Sequence, residues 1–210
     1  MDVKKIVLDF QIGLCYSKDD KDIAPLIAKF IRPRQFLLLR RFFFMAELEI
    51  YEIDSSYIEY LSNFEEHLFK NKKITQDFSR KYIGIILEIN DFKYFAPLSS
   101  FKPKHRRLCE TVDFIKVGIY AVINLNNMFP APLNLCKSVK IENIKNEHYK
   151  NLVRSEYRII KQKTEQIINN AKNVYNHKMI NDGKSKLSQR CNDFKNLEVK
   201  CKEYKIPSKK

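Results

Sequence analysis

The chain has 210 residues, with 39 Lys and Arg against 25 Asp and Glu, so its formal net charge is +14. Apolar residues make up 44% of the chain and only 4 residues are Gly, which argues against a wholly disordered protein and against a glycine-rich nucleotide-binding fold. Charged residues interrupt every apolar run before the roughly 18 residues that a membrane-spanning helix needs.

Residues 1–44 differ in pattern from the rest of the chain. The segment Arg32–Phe44 mixes apolar triplets with paired arginines and follows neither helix nor strand spacing for long. Because Arg40 and Arg41 split its apolar run, which lies far from the N-terminus, it is not a signal peptide. From Met45 onward the pattern becomes regular.

The regular part begins with a predicted strand over Leu48–Ile53, where apolar and polar residues alternate. Asp54 or Ser55 is expected to cap a helix, whose apolar face has Tyr57, Leu61, Phe64 and Leu68 at helical spacing. A polar, Lys-rich loop over 70–80 follows. Next come two strands, Tyr82–Ile89 and Phe92–Ala96, which a tight turn at Asn90-Asp91 joins into a hairpin.

The second half begins with a basic loop over Ser99–Arg107, followed by strands over Gly118–Asn124 and Leu135–Ile141. One helical stripe then runs from Tyr149 to Tyr175 over about seven turns, and Asn181-Asp-Gly183 ends it. A second amphipathic helix follows over Leu187–Tyr204. Because the predicted strands come mainly in the earlier part of the chain and the long helices in its last third, the sequence predicts an α+β fold.

The net charge of +14 predicts a polyanionic partner, most often a nucleic acid. The cations are interleaved with 11 Tyr and 15 Phe, which stack on unpaired bases in many RNA-binding proteins. The alternatives are a basic surface without such a partner and aromatic residues that only fill a core.

Cysteine and histidine residues give no sign of a metal site or a disulfide framework. The 5 cysteines are an odd number with no two-residue spacing, and the 4 histidines lie far apart in the sequence. We therefore expect a reduced, cytoplasmic protein with neither a metal nor another cofactor.

The densest unusual run is Lys93–His105. A strand is expected to end at Pro97, and the hydroxyls of Ser99 and Ser100 follow it in a turn ahead of Lys102. Hydroxyls and turn N–H groups can bond to phosphodiester oxygens, while a lysine supplies charge to the transition state. The alternative is an ordinary solvated loop.

Backbone phosphates of RNA are the expected ligands of Lys104, Arg106 and Arg107. Such contacts supply the part of the binding affinity that decreases as salt rises. His105 is a second-rank candidate for RNA binding or proton transfer, because imidazole titrates near neutral pH; a bystander is the alternative. In the later run over Ile123–Pro130, the amides of Asn126 and Asn127 either read bases or close a turn.

Five motifs in order resemble the toxins of type III toxin–antitoxin systems, the ToxN/AbiQ family. The similarity extends from Met45 to about Tyr175. The motifs are Tyr57–Leu61, Tyr82–Ile89, Tyr94–His105, Ile123–Met128 and Tyr149–Leu152.

This resemblance implies a compact, strongly bent antiparallel β-barrel of the MazF/Kid kind, wrapped by helices, with a long C-terminal helix and a second terminal helix. It also implies an endoribonuclease of abortive phage infection, whose substrates are cellular and phage RNA. In such enzymes the RNA's own 2′-OH attacks without a metal, leaving a 2′,3′-cyclic phosphate and a 5′-OH. The implied inhibitor is an antitoxin RNA whose repeats fold into pseudoknots, are processed by the toxin and bridge toxin molecules into a cyclic assembly.

The family pattern also implies roles for individual residues. Ser99 and Ser100 match its hydroxyl pair, Lys102 matches its nearby lysine, and Tyr57 matches an active-site tyrosine; these four are the predicted catalytic residues. Arg80 matches a basic residue ahead of the Tyr82 strand and is expected to bind RNA. Tyr57 as a core residue and Arg80 as a solvated charge are the alternatives. The general base stays open among Lys102, His105 and Tyr57.

The resemblance divides the chain into an N-terminal extension over 1–44, an endoribonuclease domain over 45–180 and a C-terminal helix with a basic tail over 181–210. Because family members begin at the strand that follows Met45, we hypothesise that residues 1–44 come from an upstream reading frame; a basic RNA-binding arm is the alternative. A non-catalytic RNA-binding module is the competing function. A DNA-binding helical regulator is disfavoured, because the C-terminal helices lack helix-turn-helix spacing.

Overall fold

The computed structural model describes residues 48–66, 68 and 80–205. The predictions for residues 1–44, for most of the 70–80 loop and for the end of the basic tail lie outside the described residues. Within the described ranges, no helix is long and apolar enough to span a bilayer.

A 7-stranded antiparallel sheet forms the centre of the structure. Its strands are β1 (Glu49–Ile53), β2 (Tyr82–Ile89), β3 (Phe92–Ser100), β4 (Phe114–Val117), β5 (Ala121–Asn124), β6 (Phe129–Pro130) and β7 (Cys136–Ser138). They are arranged in the order β4-β5-β3-β2-β1-β7, with β6 paired to β3. No pairing joins β4 to β7 among the described residues, so the sheet is open there. With its helices, this sheet confirms the predicted α+β class.

The hairpin of β2 and β3 forms as predicted. Asn90 and Asp91 have φ values of 49° and 67°, and both residue types tolerate the left-handed region that a two-residue hairpin turn requires. However, β3 does not end at Pro97, because Leu98–Ser100 pair with residues 121–123 of β5. The strand predicted over Gly118–Asn124 begins only at Ala121, and residues 118–120 form the turn that joins it to β4, which was not predicted.

Asp54 caps the first helix as predicted, since its carboxylate accepts the N–H groups of Ser56 at 2.9 Å and Tyr57 at 3.3 Å. This helix ends at Ser62, so Phe64, with 41% of its surface exposed, lies beyond it, as does the buried Leu68. The helices are α1 (Ser55–Ser62), α2 (Glu147–Gln162), α3 (Thr164–Asn181), α4 (Lys186–Arg190) and α5 (Phe194–Glu203).

Each of the two predicted C-terminal helices is in fact a pair. The first is interrupted at Lys163, whose side chain binds Glu110 at 2.6 Å and the Lys116 carbonyl at 3.1 Å. The second is interrupted before Asp193, which caps α5 by accepting the Asn196 N–H at 3.1 Å. The apolar stripe continues across both interruptions, so sequence periodicity alone does not reveal them.

The sheet is buried on both faces. On one face, which we call the α2/α3 face, Leu98, Ile115 and Ile123 pack with residues of α2 and α3 such as Val153 and Ile167. On the other, the α1/α5 face, the cluster contains Tyr57, Tyr82, Phe95, Phe129 and Leu197. Because side chains alternate along a strand, even-numbered β3 residues face α2/α3 and odd-numbered ones face α1/α5.

A bulge in β2 fixes how its first residues align with β3. Ile83 pairs with Ala96 and Leu87 with Tyr94, so residues 84–86 all stand opposite Phe95. Gly84 makes this possible, because a Cβ at that position would overlap the Phe95 ring.

We expect Gly84→Ala to lower the free energy of unfolding by about 1–3 kcal/mol, since an added methyl group overpacks a filled core. Urea denaturation of the full chain measures this. Gly183→Asn is the control: position 183 has a φ of +76° and no atom within 4 Å of an added Cβ, and Asn tolerates that conformation. Equal stability of Gly84→Ala and the wild type would contradict the packing argument.

Candidate active site

Arg80 and Ser99 lie side by side at the end of the β2–β3 pair. Tyr82 pairs with Pro97, and the Leu98 N–H donates to the Lys81 carbonyl at 3.0 Å, so Arg80 stands opposite Ser99. The Arg80 guanidinium Nη1 donates to the Ser99 hydroxyl at 3.5 Å. Both residues are half-buried. The pairing of the two strands therefore holds a cation and a hydroxyl together at the end of the sheet where β2 begins and β3 ends, which we call the rim of the sheet.

The two predicted catalytic serines do not share a turn. Both belong to β3, where Ser99 pairs with Val122 and Ser100 with Ala121. Since successive side chains of a strand point to opposite faces, Ser99 lies on the α1/α5 face with Arg80, and the exposed Ser100 lies on the other face. The structure therefore brings Ser99 together with Arg80 and places Ser100 on the opposite face of the sheet.

Residues 102–107, which we call the basic turn, follow β3 and contain a 3₁₀ turn over Pro103–Arg106. The Lys102 N–H donates to His105 Nδ1 at 3.0 Å, and the His105 N–H donates to the Lys102 carbonyl at 2.8 Å. The His105 ring packs edge-on against Phe101 at 5.5 Å and Phe114 at 5.6 Å. These contacts fix the basic turn against β3 and β4.

The basic turn carries a concentrated positive charge. Lys102, Lys104, Arg106 and Arg107 are all exposed, and none forms an ion pair within the described part of the chain. The nearby Glu110 is already engaged: although burial opposes it, the hydrogen bond from Lys163 lowers the pKa of its carboxyl. An anion that approaches this surface meets unneutralised cations.

His105 holds the turn in its neutral form. Burial, with the charges of Lys104, Lys102 and Lys116, lowers the pKa of its imidazole. Because Nδ1 accepts the Lys102 N–H, the proton of the neutral ring is on Nε2. The acceptor nitrogen of the neutral ring is therefore engaged by the Lys102 N–H.

Tyr57 lies in the core. Its side chain is 0% exposed, its hydroxyl donates to the Pro130 carbonyl at 2.8 Å, and its ring packs edge-on against Tyr204 at 4.9 Å. Burial raises the pKa of this phenol far above its usual value. This placement agrees with the core alternative.

Tyr82 is a neighbour of the site that sequence reasoning did not single out. It is two residues from Arg80 on the same strand line and therefore on the same face. Burial raises the pKa of its phenol, and the adjacent Arg80 acts in the opposite direction. Strand alternation from Arg80 is the signal that could have identified it.

Asn126 and Asn127 lie beyond the far end of β5 from Ser100. The Asn126 side-chain amide donates to Asn127 Oδ1 at 2.7 Å and to the Arg190 carbonyl at 3.0 Å. The main-chain carbonyl of Asn126 accepts the Asn192 N–H at 2.9 Å. These bonds tie the segment between α4 and α5 to the sheet. The structure does not bring either amide to Arg80 and Ser99.

Comparison with known proteins identifies the family of this chain. Residues 49–202 match the family model described as toxin ToxN of type III toxin–antitoxin systems. A relative from Bacillus thuringiensis subsp. kurstaki, named endoribonuclease ToxN, is 31% identical over 169 residues, covering 75% of this chain and 84% of the relative.

Two solved structures share the fold. One comes from work on a bacterial antiviral system that a processed non-coding RNA regulates. It is 26% identical to this chain with a TM-score of 0.65, and the match covers 75% of this chain and 99% of the solved chain. The other comes from work on selective toxin inhibition by a non-coding RNA pseudoknot. It is 26% identical to this chain with a TM-score of 0.62, and the match covers 75% of this chain and 98% of the solved chain. Since the family model spans more than half of the residues, this chain belongs to the ToxN toxin family of type III toxin–antitoxin systems.

Proposed function

We propose that this chain is an endoribonuclease toxin that cleaves cellular and phage RNA in abortive infection. The observation that carries the proposal is the Arg80–Ser99 pair at the sheet rim, close along the chain to the exposed cations of the basic turn. Its relative is named an endoribonuclease, and a structural neighbour belongs to a bacterial antiviral system.

The proposed reaction uses the RNA as its own nucleophile. The 2′-oxygen loses its proton and attacks the adjacent phosphorus, the bond from phosphorus to the 5′-oxygen breaks, and that oxygen takes up a proton. The products are a 2′,3′-cyclic phosphate and a 5′-OH, and the step requires no metal. Arg80 and Ser99 donate hydrogen bonds to the non-bridging oxygens, and the Lys102 ammonium stabilises the charge that develops on them.

The remaining candidates receive secondary roles in this proposal. Lys104, Arg106 and Arg107 contact phosphates on either side of the cut, an interaction that weakens as salt rises. Ser100, exposed on the opposite face, contacts RNA outside the scissile phosphate. Tyr57 supports the site from the core, by holding α1 to β6 through its bond to Pro130.

The inhibitor proposed is an antitoxin RNA made of pseudoknot repeats. A structural neighbour comes from work on toxin inhibition by a non-coding RNA pseudoknot. A folded RNA that covers the basic turn would deny substrate the Arg80–Ser99 pair, and one that spans two toxins would build a cyclic RNA-bridged assembly. Because both RNAs would bind the same cations, the toxin would process its own inhibitor.

We also propose that the sheet is the strongly bent barrel of the MazF/Kid toxins. The same edge of β3 pairs with β6 at residues 94–95 and with β5 at residues 98–100. A strand that takes two successive partners on one edge is a place where a sheet bends, which supports the barrel.

We expect the purified wild type to cut unpaired RNA and leave 5′-OH and 2′,3′-cyclic phosphate ends. Arg80→Gln, Ser99→Ala and Lys102→Gln should each slow cleavage about 100-fold, because each removes a group that stabilises charge in the transition state. Ser100→Ala and Tyr57→Phe should slow it less. End-group analysis and single-turnover rates measure both effects.

Ser62→Ala is the matched control for loss of a serine hydroxyl, since the Ser62 hydroxyl donates to the Glu59 carbonyl within α1 at 2.7 Å. Urea midpoints confirm that each variant folds. A wild type that binds RNA but never cuts it would favour the non-catalytic RNA-binding module. Equal losses in Ser99→Ala and Ser100→Ala would contradict the assignment of the two hydroxyls to opposite faces.

A second prediction concerns pH and His105. The folded pKa of its imidazole lies below its ordinary value, so the stability from the neutral ring is present above about pH 6.5 and is lost as the pH falls through the lower folded pKa. Protonation places a hydrogen on Nδ1 and breaks the bond from the Lys102 N–H.

His105→Asn keeps an acceptor oxygen near the position of Nδ1 but does not titrate. The wild type should therefore be more stable than this variant at pH 7, and the difference should shrink as the pH falls towards 5, as urea midpoints across that range will measure. His148→Asn, at an exposed histidine, is the control and should show no such trend. If the stability difference between the wild type and His105→Asn stayed constant from pH 7 to 5, protonation of His105 would not affect the stability of the fold.

A further inference from the structure

Lys81 is a buried lysine at the rim of the sheet, next in the chain to Arg80. Only 9% of its surface is exposed, although lysine side chains are almost never buried unless their charge is paired. Its ammonium forms an ion pair with the carboxylate of Glu52, which lies on β1. The same ammonium lies 5.8 Å from the centre of the Tyr149 ring, on α2. Two different elements therefore hold the Lys81 side chain.

The pairing of β1 with β2 explains why the lysine and the glutamate meet. Tyr51 pairs with Tyr82, so Glu52 and Lys81 are the next residues along the two chains towards the rim. Side chains that stand opposite each other in an antiparallel pair have Cβ atoms about 4.5–5.5 Å apart, which is within reach of these two side chains. The ion pair therefore joins β1 to the backbone at the start of β2.

The contacts of Lys81 and Arg80 place their side chains on opposite faces of the sheet. Lys81 contacts Tyr149, which packs with the cluster of the α2/α3 face. Arg80 contacts Ser99, which lies on the α1/α5 face. The backbone beside them is tied to β3, because the Lys81 carbonyl accepts the Leu98 N–H at 3.0 Å. The two side chains leave one short stretch of backbone in opposite directions, so a shift of Lys81 would also move Arg80.

The direction of the Arg80 side chain depends on how firmly this backbone is held. The hydrogen bond from Arg80 Nη1 to the Ser99 hydroxyl measures 3.5 Å, whereas N–H···O bonds usually measure about 2.7–3.2 Å. Such a long bond does little to fix a flexible side chain. Contacts that fix the neighbouring backbone therefore matter more for the position of the guanidinium, and the Glu52–Lys81 pair is one of them.

We propose that the Glu52–Lys81 pair is a positioning device, which holds the Arg80 guanidinium towards Ser99 from the opposite face of the sheet. This inference rests on the proposed function, because it takes Arg80 and Ser99 to bind the scissile phosphate. Glu52 and Lys81 do not touch the RNA themselves. Their effect on cleavage passes through Arg80, and it should therefore disappear once Arg80 has been replaced.

The test is a double-mutant cycle in the full chain that combines Glu52→Gln with Arg80→Gln. Glu52→Gln removes the charge of the carboxylate but keeps the size of the side chain and an oxygen acceptor. With Arg80 in place, it should slow single-turnover cleavage of unpaired RNA about 10-fold, because misplacing a group by about 1 Å can cost up to about 100-fold in rate. In the Arg80→Gln background it should leave the cleavage rate unchanged, since two residues that act as one unit are not additive.

A second variant guards against a loss of folding. Lys81→Met combined with Glu52→Gln removes both charges together, which destabilises a protein less than removing one partner of a buried pair. It should slow cleavage as Glu52→Gln does, and urea midpoints show that each variant folds. Glu88→Gln is the matched control and should cleave as the wild type does. Its ion pair with Lys93, at 2.6 Å, also joins adjacent strands but lies beside the hairpin turn, at the other end of β2.

Binding of an uncleavable 2′-O-methyl RNA of the same sequence is the second readout of the cycle. Because Arg80 is proposed to bind a phosphate, Glu52→Gln should weaken this binding when Arg80 is present, by no more than Arg80→Gln itself does. In the Arg80→Gln background it should leave the affinity unchanged. This measurement does not require the protein to cut RNA.

A wild-type cleavage rate in Glu52→Gln, or an equal loss in both backgrounds, would overturn the positioning device, since a merely structural role costs the same whether or not Arg80 is present. The failure of the proposed function is a separate result. A wild type that leaves RNA uncut, yet binds the 2′-O-methyl RNA with the expected dependence on Glu52 and Arg80, contradicts the nuclease and supports the positioning device. A wild type that neither cuts nor binds RNA contradicts both.

Discussion

The register between β2 and β3 is the constraint on which the candidate site depends. Without the bulge at residues 84–86, the pairing set by Leu87 and Tyr94 would continue and place Tyr82, not Arg80, opposite Ser99. The bulge shifts the register by two residues, so each side chain keeps its face while its partner changes. Gly84 allows that bulge to close over Phe95, and a packing feature of the core thereby decides which cation meets which hydroxyl.

The burial of both faces of the sheet explains why residues that are neighbours in the sequence differ in their access to solvent. Ser99 and Ser100 are adjacent in the chain but belong to opposite faces. Tyr57, on the face that carries Ser99, is covered by the core. At the rim of the sheet, where Arg80 and Ser99 come together, the backbone is fixed and side chains still reach solvent.

The basic turn provides positive charge, and the neutral His105 side chain fixes the conformation of this turn. Its cations would repel one another in a flexible loop, but the bond from the Lys102 N–H to His105 and the packing of the ring between Phe101 and Phe114 hold them in place. A fixed cationic surface binds a polyanion at low entropic cost. Under the proposed function, substrate RNA and inhibitor RNA compete for these cations.

The sequence by itself determined the features that depend on nearby residues. The Asn90-Asp91 hairpin, the Asp54 cap, the charge of the basic turn and the ordered family motifs were all readable, because each rests on residues a few positions apart. Most of the site residues that the motifs indicated also lie at the rim of the sheet. The change from strands to helices gave the α+β class.

Only the tertiary structure decided the features that depend on distant partners. The continuation of β3 through Ser100 required β5, the interruptions at Lys163 and Asp193 required contacts outside the helices, and the burial of Tyr57 required Pro130 and Tyr204. Local propensity is weak compared with such packing and pairing, and it contains no information about which strand will lie alongside another.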